Sequence, residues 1–106
     1  MPVKIITKSQ EFVHAALFEV EVGTTGLRGG DSGNGGRTYL RFTDRGGTDM
    51  TVDVAPDGDS LSLVFGGDAE LENLIEGLQF AIDVLKESRE HGTVDNLPKS
   101  GSRTVK

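Results

Sequence analysis

The stretch LSLVFGGDAELENLIEGLQFAIDVLKE, Leu61 to Glu87, changes its hydrophobic period halfway along. Before the Gly66-Gly67 pair, Leu61, Leu63 and Phe65 alternate with Ser62 and Val64, the two-residue period of a strand with two unlike faces. After it, Leu71, Leu74, Ile75, Leu78, Ile82 and Leu85 recur every three or four residues, which makes a stripe along one side of an α-helix. Asp68 is well placed as the N-cap. Glu70 and Glu72 lie near the positive end of the helix dipole, and Lys86 and Arg89 near its negative end. Gly92 can adopt the left-handed conformation in which helices commonly close. A strand handing over to a long helix predicts an α+β domain in which the leucine stripe covers the apolar face of a sheet.

Upstream, the strand period recurs. Met50, Val52 and Val54 alternate with Thr51 and Asp53, Leu40 and Phe42 with Arg41 and Thr43, and Phe18, Val20 and Val22 with Glu19 and Glu21. The connections Asp44-Arg45-Gly46-Gly47 and Pro56-Asp57-Gly58-Asp59 carry turn residues, and short links make neighbouring strands antiparallel. The expected architecture is therefore a four- or five-stranded antiparallel β-meander with one long C-terminal α-helix packed on one face. The start of the chain is open: SQEFVHAAL suits a helical turn or the continuation of a strand, and Val3 to Ile6 suits an added edge strand.

The helix is more apolar than one stripe requires. Gly77, Phe80, Ala81 and Val84 fall on an adjoining part of its surface at about 100° per residue. Two coverings suit them. One is the N-terminal segment with Phe12, Val13 and Leu17; the other is a second subunit, in a homodimer whose interface would be Gly77, Phe80, Ala81 and Val84.

At 106 residues the chain reads as one domain, with 1–92 as the α+β unit and 93–106, TVDNLPKSGSRTVK, as a flexible C-terminal tail. It has no cysteine and two histidines, which removes disulfides, thiol nucleophiles and thiolate metal sites; no metal or cofactor is expected. No run approaches the ~18 apolar residues of a membrane span, and the start lacks a signal peptide's apolar centre, so a cytoplasmic location is expected. Seventeen acids against eleven bases, a net charge of -6, disfavour general nucleic-acid binding.

The charge is unevenly placed, and its positive part surrounds the least ordinary segment. GTTGLRGGDSGNGGRT, Gly23 to Thr38, holds seven of the fifteen glycines, together with Arg28 and Arg37, and is followed by Arg41 and Arg45. Gly30-Asp31-Ser32-Gly33 resembles the nucleophile segment of chymotrypsin-like proteases, over four residues. Such an enzyme also needs a histidine base, a buried acid and two barrels, for which this chain is too short, so no catalytic residue is assigned. The loop is also similar to the glycine-aspartate repeats of calcium-binding β-rolls, but those sites require stacked copies, and one copy is present. Neither the lysine-bearing phosphate loop nor the dinucleotide fingerprint fits, because this loop joins strand to strand.

What remains is a nest of backbone N–H donors with forked guanidinium donors beside it, a combination suited to phosphate or carboxylate. The expected contact residues are Arg28, Gly29, Gly30, Asp31, Asn34, Gly36 and Arg37, joined by Tyr39 and Arg41 on the neighbouring strand. The strand period would place Tyr39 and Arg41 with Thr51 and Asp53 on one polar sheet surface. Arg28-Gly29-Gly30 and Arg45-Gly46-Gly47 are similar to the RGG segments of RNA-binding proteins, though without interleaved aromatic residues. The expected function is non-catalytic binding of a small anionic ligand such as a nucleotide or phosphate, or of an acidic protein surface. Size and economy suit a phage-type inhibitor or a protein that sequesters a signal. The alternative is a structural or interaction protein that self-assembles through its helix without any small ligand.

Overall fold

The computed structural model describes residues 4–30 and 35–94, and 102–105 as backbone. Six strands and one helix follow in the order β1 (Ile5–Phe12), β2 (Leu17–Thr24), β3 (Thr38–Gly46), β4 (Met50–Val54), β5 (Leu61–Phe65), α1 (Asp68–Glu87) and β6 (Ser102–Val105). The strands form an antiparallel sheet in the order β3-β2-β1-β6 and a separate hairpin, β4-β5. The class is α+β, with the four strands that alternation predicts and one long helix. No helix among the described residues is long and apolar enough to cross a membrane.

The meander divides after β3, and the connection explains why. The Asp44 carboxylate accepts the backbone N–H groups of Gly46 and Thr48, at 2.8 and 3.2 Å, closing a tight turn. The buried Thr48 donates its hydroxyl to the Leu17 carbonyl, 2.8 Å away, which pins the turn to the start of β2. The chain is thereby turned away from the edge of β3, and β4 pairs with β5 alone. The ambiguous start resolves as strand: SQEF ends β1, which lies inside the sheet between β2 and β6.

The core sits between α1 and the central strands. Phe12, Phe18, Val20, Val22, Ala81 and Val84 are buried, with Phe42, Met50, Phe65, Leu74, Phe80 and Leu85 packed around them. The Phe18 ring stacks on Phe42 at 5.7 Å and meets Phe65 edge-on at 5.4 Å. Two expectations for the helix are corrected here. Asp68 is the first helical residue rather than the cap, since the residue before it, Gly67 with φ 114°, offers no side chain to the helix start.

The second correction concerns which side of the helix faces inward. Asn73, Gly77, Ala81 and Val84 are the buried positions, whereas Leu71, Ile75, Leu78 and Ile82 are 42 to 55 % exposed. The residues assigned to a dimer interface therefore lie inside the chain: Phe80 meets Phe12 edge-on at 6.1 Å, the covering by the N-terminal segment, and Gly77 faces β2. A Cβ on Gly77 would come 2.7 Å from Val20 Cγ2 and 3.3 Å from Phe18 Cε2. The sheet supplies bulk at this crossing, so the helix approaches with its small residues and leaves its large ones outside.

Asn73 fixes the end of the same contact. Its side-chain oxygen accepts the His14 N–H at 3.1 Å, and its amide donates to the carbonyls of His14 and Ala16 at 3.3 and 3.4 Å. These bonds hold the β1–β2 turn, where Ala15 adopts φ 58°. Beyond the helix, Thr93 is buried and bonded to Thr24, and β6 lies antiparallel to β1 from Ile5 to Lys8. The stretch between these two points, part of the expected flexible tail, lies outside the described residues.

Candidate functional site

The glycine-rich loop leaves β2 at Thr24 and returns to β3 at Thr38, and the two ends are closed by a short ladder. The Thr25 N–H donates to the Arg37 carbonyl at 2.9 Å, and the Arg37 N–H donates to the Thr25 hydroxyl, also at 2.9 Å. The hydroxyls of Thr24 and Thr38 share a hydrogen bond of 3.0 Å one step below. Threonine suits this neck, because its branched side chain favours extended backbone while its hydroxyl satisfies a donor that no strand partner reaches.

One side of the neck is docked on the end of α1. The Leu27 N–H donates to the Arg89 carbonyl at 2.8 Å, and the Thr93 N–H donates to the Thr24 carbonyl at 2.9 Å. The Thr93 hydroxyl accepts the Thr24 N–H at 3.1 Å and donates to Ser88 Oγ at 3.2 Å. Gly26, with φ 85°, sits so close to the helix end that a Cβ there would lie 2.7 Å from the Gly92 nitrogen. The Arg89 carbonyl after the helix thus finds a donor in the loop, the Thr24 carbonyl finds one in Thr93, and the loop gains a fixed base.

Both loop arginines bond to loop backbone through their side chains. Arg28 Nε donates to the Thr25 carbonyl at 3.1 Å, and Arg37 Nη1 donates to the Gly36 carbonyl at 3.0 Å. Both residues are exposed, and their guanidinium groups bond to backbone on the two sides of the loop mouth, Arg28 at Thr25 and Arg37 at Gly36. Gly29, Gly30 and Gly36 border this mouth, while Asp31 and Asn34 lie outside the described residues.

Tyr39 and Arg41 share the sheet face pointing away from α1, with Arg41 Nη1 3.4 Å from the Tyr39 hydroxyl. That hydrogen bond and the charge interaction with Tyr39, and then the negative charges of Glu21 and Glu19, hold the Arg41 guanidinium above its ordinary value. Thr51 and Asp53 do not join this surface, since β4 belongs to the other sheet. Their place beside Arg41 is taken by two glutamates that alternation alone treats as solvated. Glu19 and Glu21 are 4 and 3 % exposed. Glu21 accepts the Thr7 hydroxyl at 2.6 Å and lies 3.9 Å from Arg41, and Glu19 pairs with Arg45 at 3.0 Å. The signal was present in the alternation, because acids on a central strand facing arginines on its neighbour are expected to pair.

Chemically, the neck offers donors and positive charge, and the sheet face beside it spends its arginines on internal carboxylates. The site's positive end is therefore Arg28 and Arg37. No protein-family model matches the chain, and no characterised protein or solved structure is similar to it.

Proposed function

We propose that this chain is a non-catalytic binding protein that grips an anionic group, a phosphate or a carboxylate, at the mouth of the Gly23–Thr38 loop. The observation that carries the reading is that Arg28 and Arg37 flank a neck closed by the Thr25–Arg37 pair and tied to the end of α1. The Arg28 guanidinium, anchored to the Thr25 carbonyl through Nε, has less rotamer freedom to lose when it meets an oxyanion. Glycines on both sides of the mouth let a ligand reach backbone donors.

Calorimetry with inorganic phosphate, nucleoside phosphates and an acidic peptide tests this reading. One of these probes is expected to bind, and the Arg28/Arg37 double-alanine protein to bind it more weakly. Each lost charge-assisted contact costs roughly 1.5 to 3 kcal/mol, so each arginine accounts for about one to two powers of ten in affinity. Binding also weakens as salt rises. Equal affinities for the two folded proteins, or no binding of any probe, would sink the reading. A second reading, an interaction protein that self-assembles through its helix without a small ligand, is supported by the exposed row of Leu71, Ile75, Leu78 and Ile82.

A further inference from the structure

Among the described residues, the longest row of exposed large apolar side chains runs along α1. Phe80 touches Phe12, Glu87 pairs with Lys8 at 3.5 Å and His14 meets Glu76 at 2.8 Å, so residues 76, 80 and 87 face β1 and the turn that follows it. At 100° per residue, Leu71, Ile75, Leu78 and Ile82 fall on the opposite flank. The strand order β1-β2-β3 puts that flank on the β3 side of the helix. There Leu40, paired with the fully buried Val22 and hence on the same face, is 49 % exposed. Beyond it stands the hairpin. Met50 and Phe65 pack on the core, and the same hairpin face continues outward through the pairs Val52–Leu63 and Val54–Leu61, with Val52, Val54 and Leu61 more than half exposed.

The exposed apolar side chains of α1, of β3 and of the outer hairpin face thus lie on the same side of the molecule. We propose that a second copy of this chain covers them, the two α1 helices packing antiparallel side by side, each over β3 of the other copy. The proposal deepens the self-assembly reading and does not depend on the loop. Two features of α1 select this occupant. Leu71, Ile75, Leu78, Ile82 and Leu85 are spaced four, three, four and three apart, the seam by which one helix packs along another. Beside the seam, Glu72, Gln79 and Lys86 follow one edge of the helix, seven residues apart, an acid in the first half and a base in the second.

Antiparallel pairing with the two-fold axis beside Gln79 sets Glu72 of one copy against Lys86 of the other. Parallel pairing would set Glu72 against Glu72. In the antiparallel arrangement the seam also closes on itself, so it buries both copies equally and leaves no open end.

Sedimentation of the full chain is expected to give twice 11.3 kDa, and Leu78→Glu a monomer with an unchanged circular dichroism spectrum. Leu78 lies near the axis, where each substitution counts twice, so dimer affinity should fall by roughly a hundredfold or more. Orientation is read with cysteines, since the chain has none. Gln79→Cys is expected to oxidise to a covalent dimer, whereas Glu76→Cys, facing the β1–β2 turn, is not. Glu72→Lys and Lys86→Glu should each weaken the dimer, and the two together restore it. A monomer at every concentration, a dimer indifferent to Leu78→Glu, or equal crosslinking at positions 76 and 79 would each overturn the proposal. Because Arg28 and Arg37 are untouched by these variants, failure here leaves the loop reading standing.

Discussion

The face of α1 that lies on β1 and β2 is built from Asn73, Gly77, Ala81 and Val84, and the flank that no strand covers is built from Leu71, Ile75, Leu78 and Ile82. By hydrophobicity alone the second set is the better candidate for the core. What decides between them is distance. β2 brings Phe18, Val20 and Val22 to the crossing, and side chains of that size leave room for little more than hydrogen or methyl on the helix. A helix seated on Leu71, Ile75 and Leu78 would stand off the sheet, leaving voids whose lining atoms lose their dispersion contacts. Apolar content says that a helix side wants covering. Volume says which partner can cover it.

Substitutions on the two sides sharpen that contrast. The largest effect is expected from Gly77→Leu, which must push the helix off Val20 and Phe18: a loss of about 3 kcal/mol in unfolding free energy by urea titration, despite leucine's better helix propensity. An unchanged midpoint would mean that α1 does not sit this close. Asn73→Ala comes next, since it removes the side chain that holds the His14–Ala16 turn, and about 2 kcal/mol is expected to be lost in the same titration. The smallest effect belongs to the outer flank. Leu78→Gln, measured on the dilute and dissociated chain, should change stability by less than about 0.5 kcal/mol, as surface substitutions do. A loss as large as that of Asn73→Ala would erase the distinction between the two sides.

Much of this fold is legible because period is a local property. The alternations at Phe18–Val22, Leu40–Phe42, Met50–Val54 and Leu61–Phe65 each mark a strand, and the helix begins at Asp68 where the period changes. What the periods leave open is which strands pair. The break between β3 and β4 depends on Thr48 reaching the Leu17 carbonyl, a contact across 31 positions that no local pattern announces. The inward face of α1 is hidden for a similar reason, because glycine and alanine score as weakly apolar and their value lies in what they leave room for.

At the loop, the arginines were visible as charge out of keeping with an acidic protein. Their placement on the two sides of one neck follows from the Thr25–Arg37 pair, and the neck is tied down by Thr93, a residue that a reading by composition places in the tail. The buried Glu19 and Glu21 were hidden by the same averaging. An acid on a strand's polar face ordinarily means solvent, and only the register with Arg41 and the ion pair with Arg45 turn it into an internal pair.

The docking of the loop on the helix end also bears on how this part of the protein moves. The amide protons of Thr24, Leu27 and Thr93 are all held by bonds that cross between the loop neck and the segment after α1, and that of Gly92 closes on Ser88 within the same knot. None can be released to solvent while the others keep their geometry. In the language of hydrogen exchange, the neck and the helix terminus form one opening unit, with a shared free energy of local unfolding. Arg28, bonded to Thr25 beside this knot, and Arg37, paired with Thr25 across the neck, therefore stand on a platform that opens only with the helix terminus.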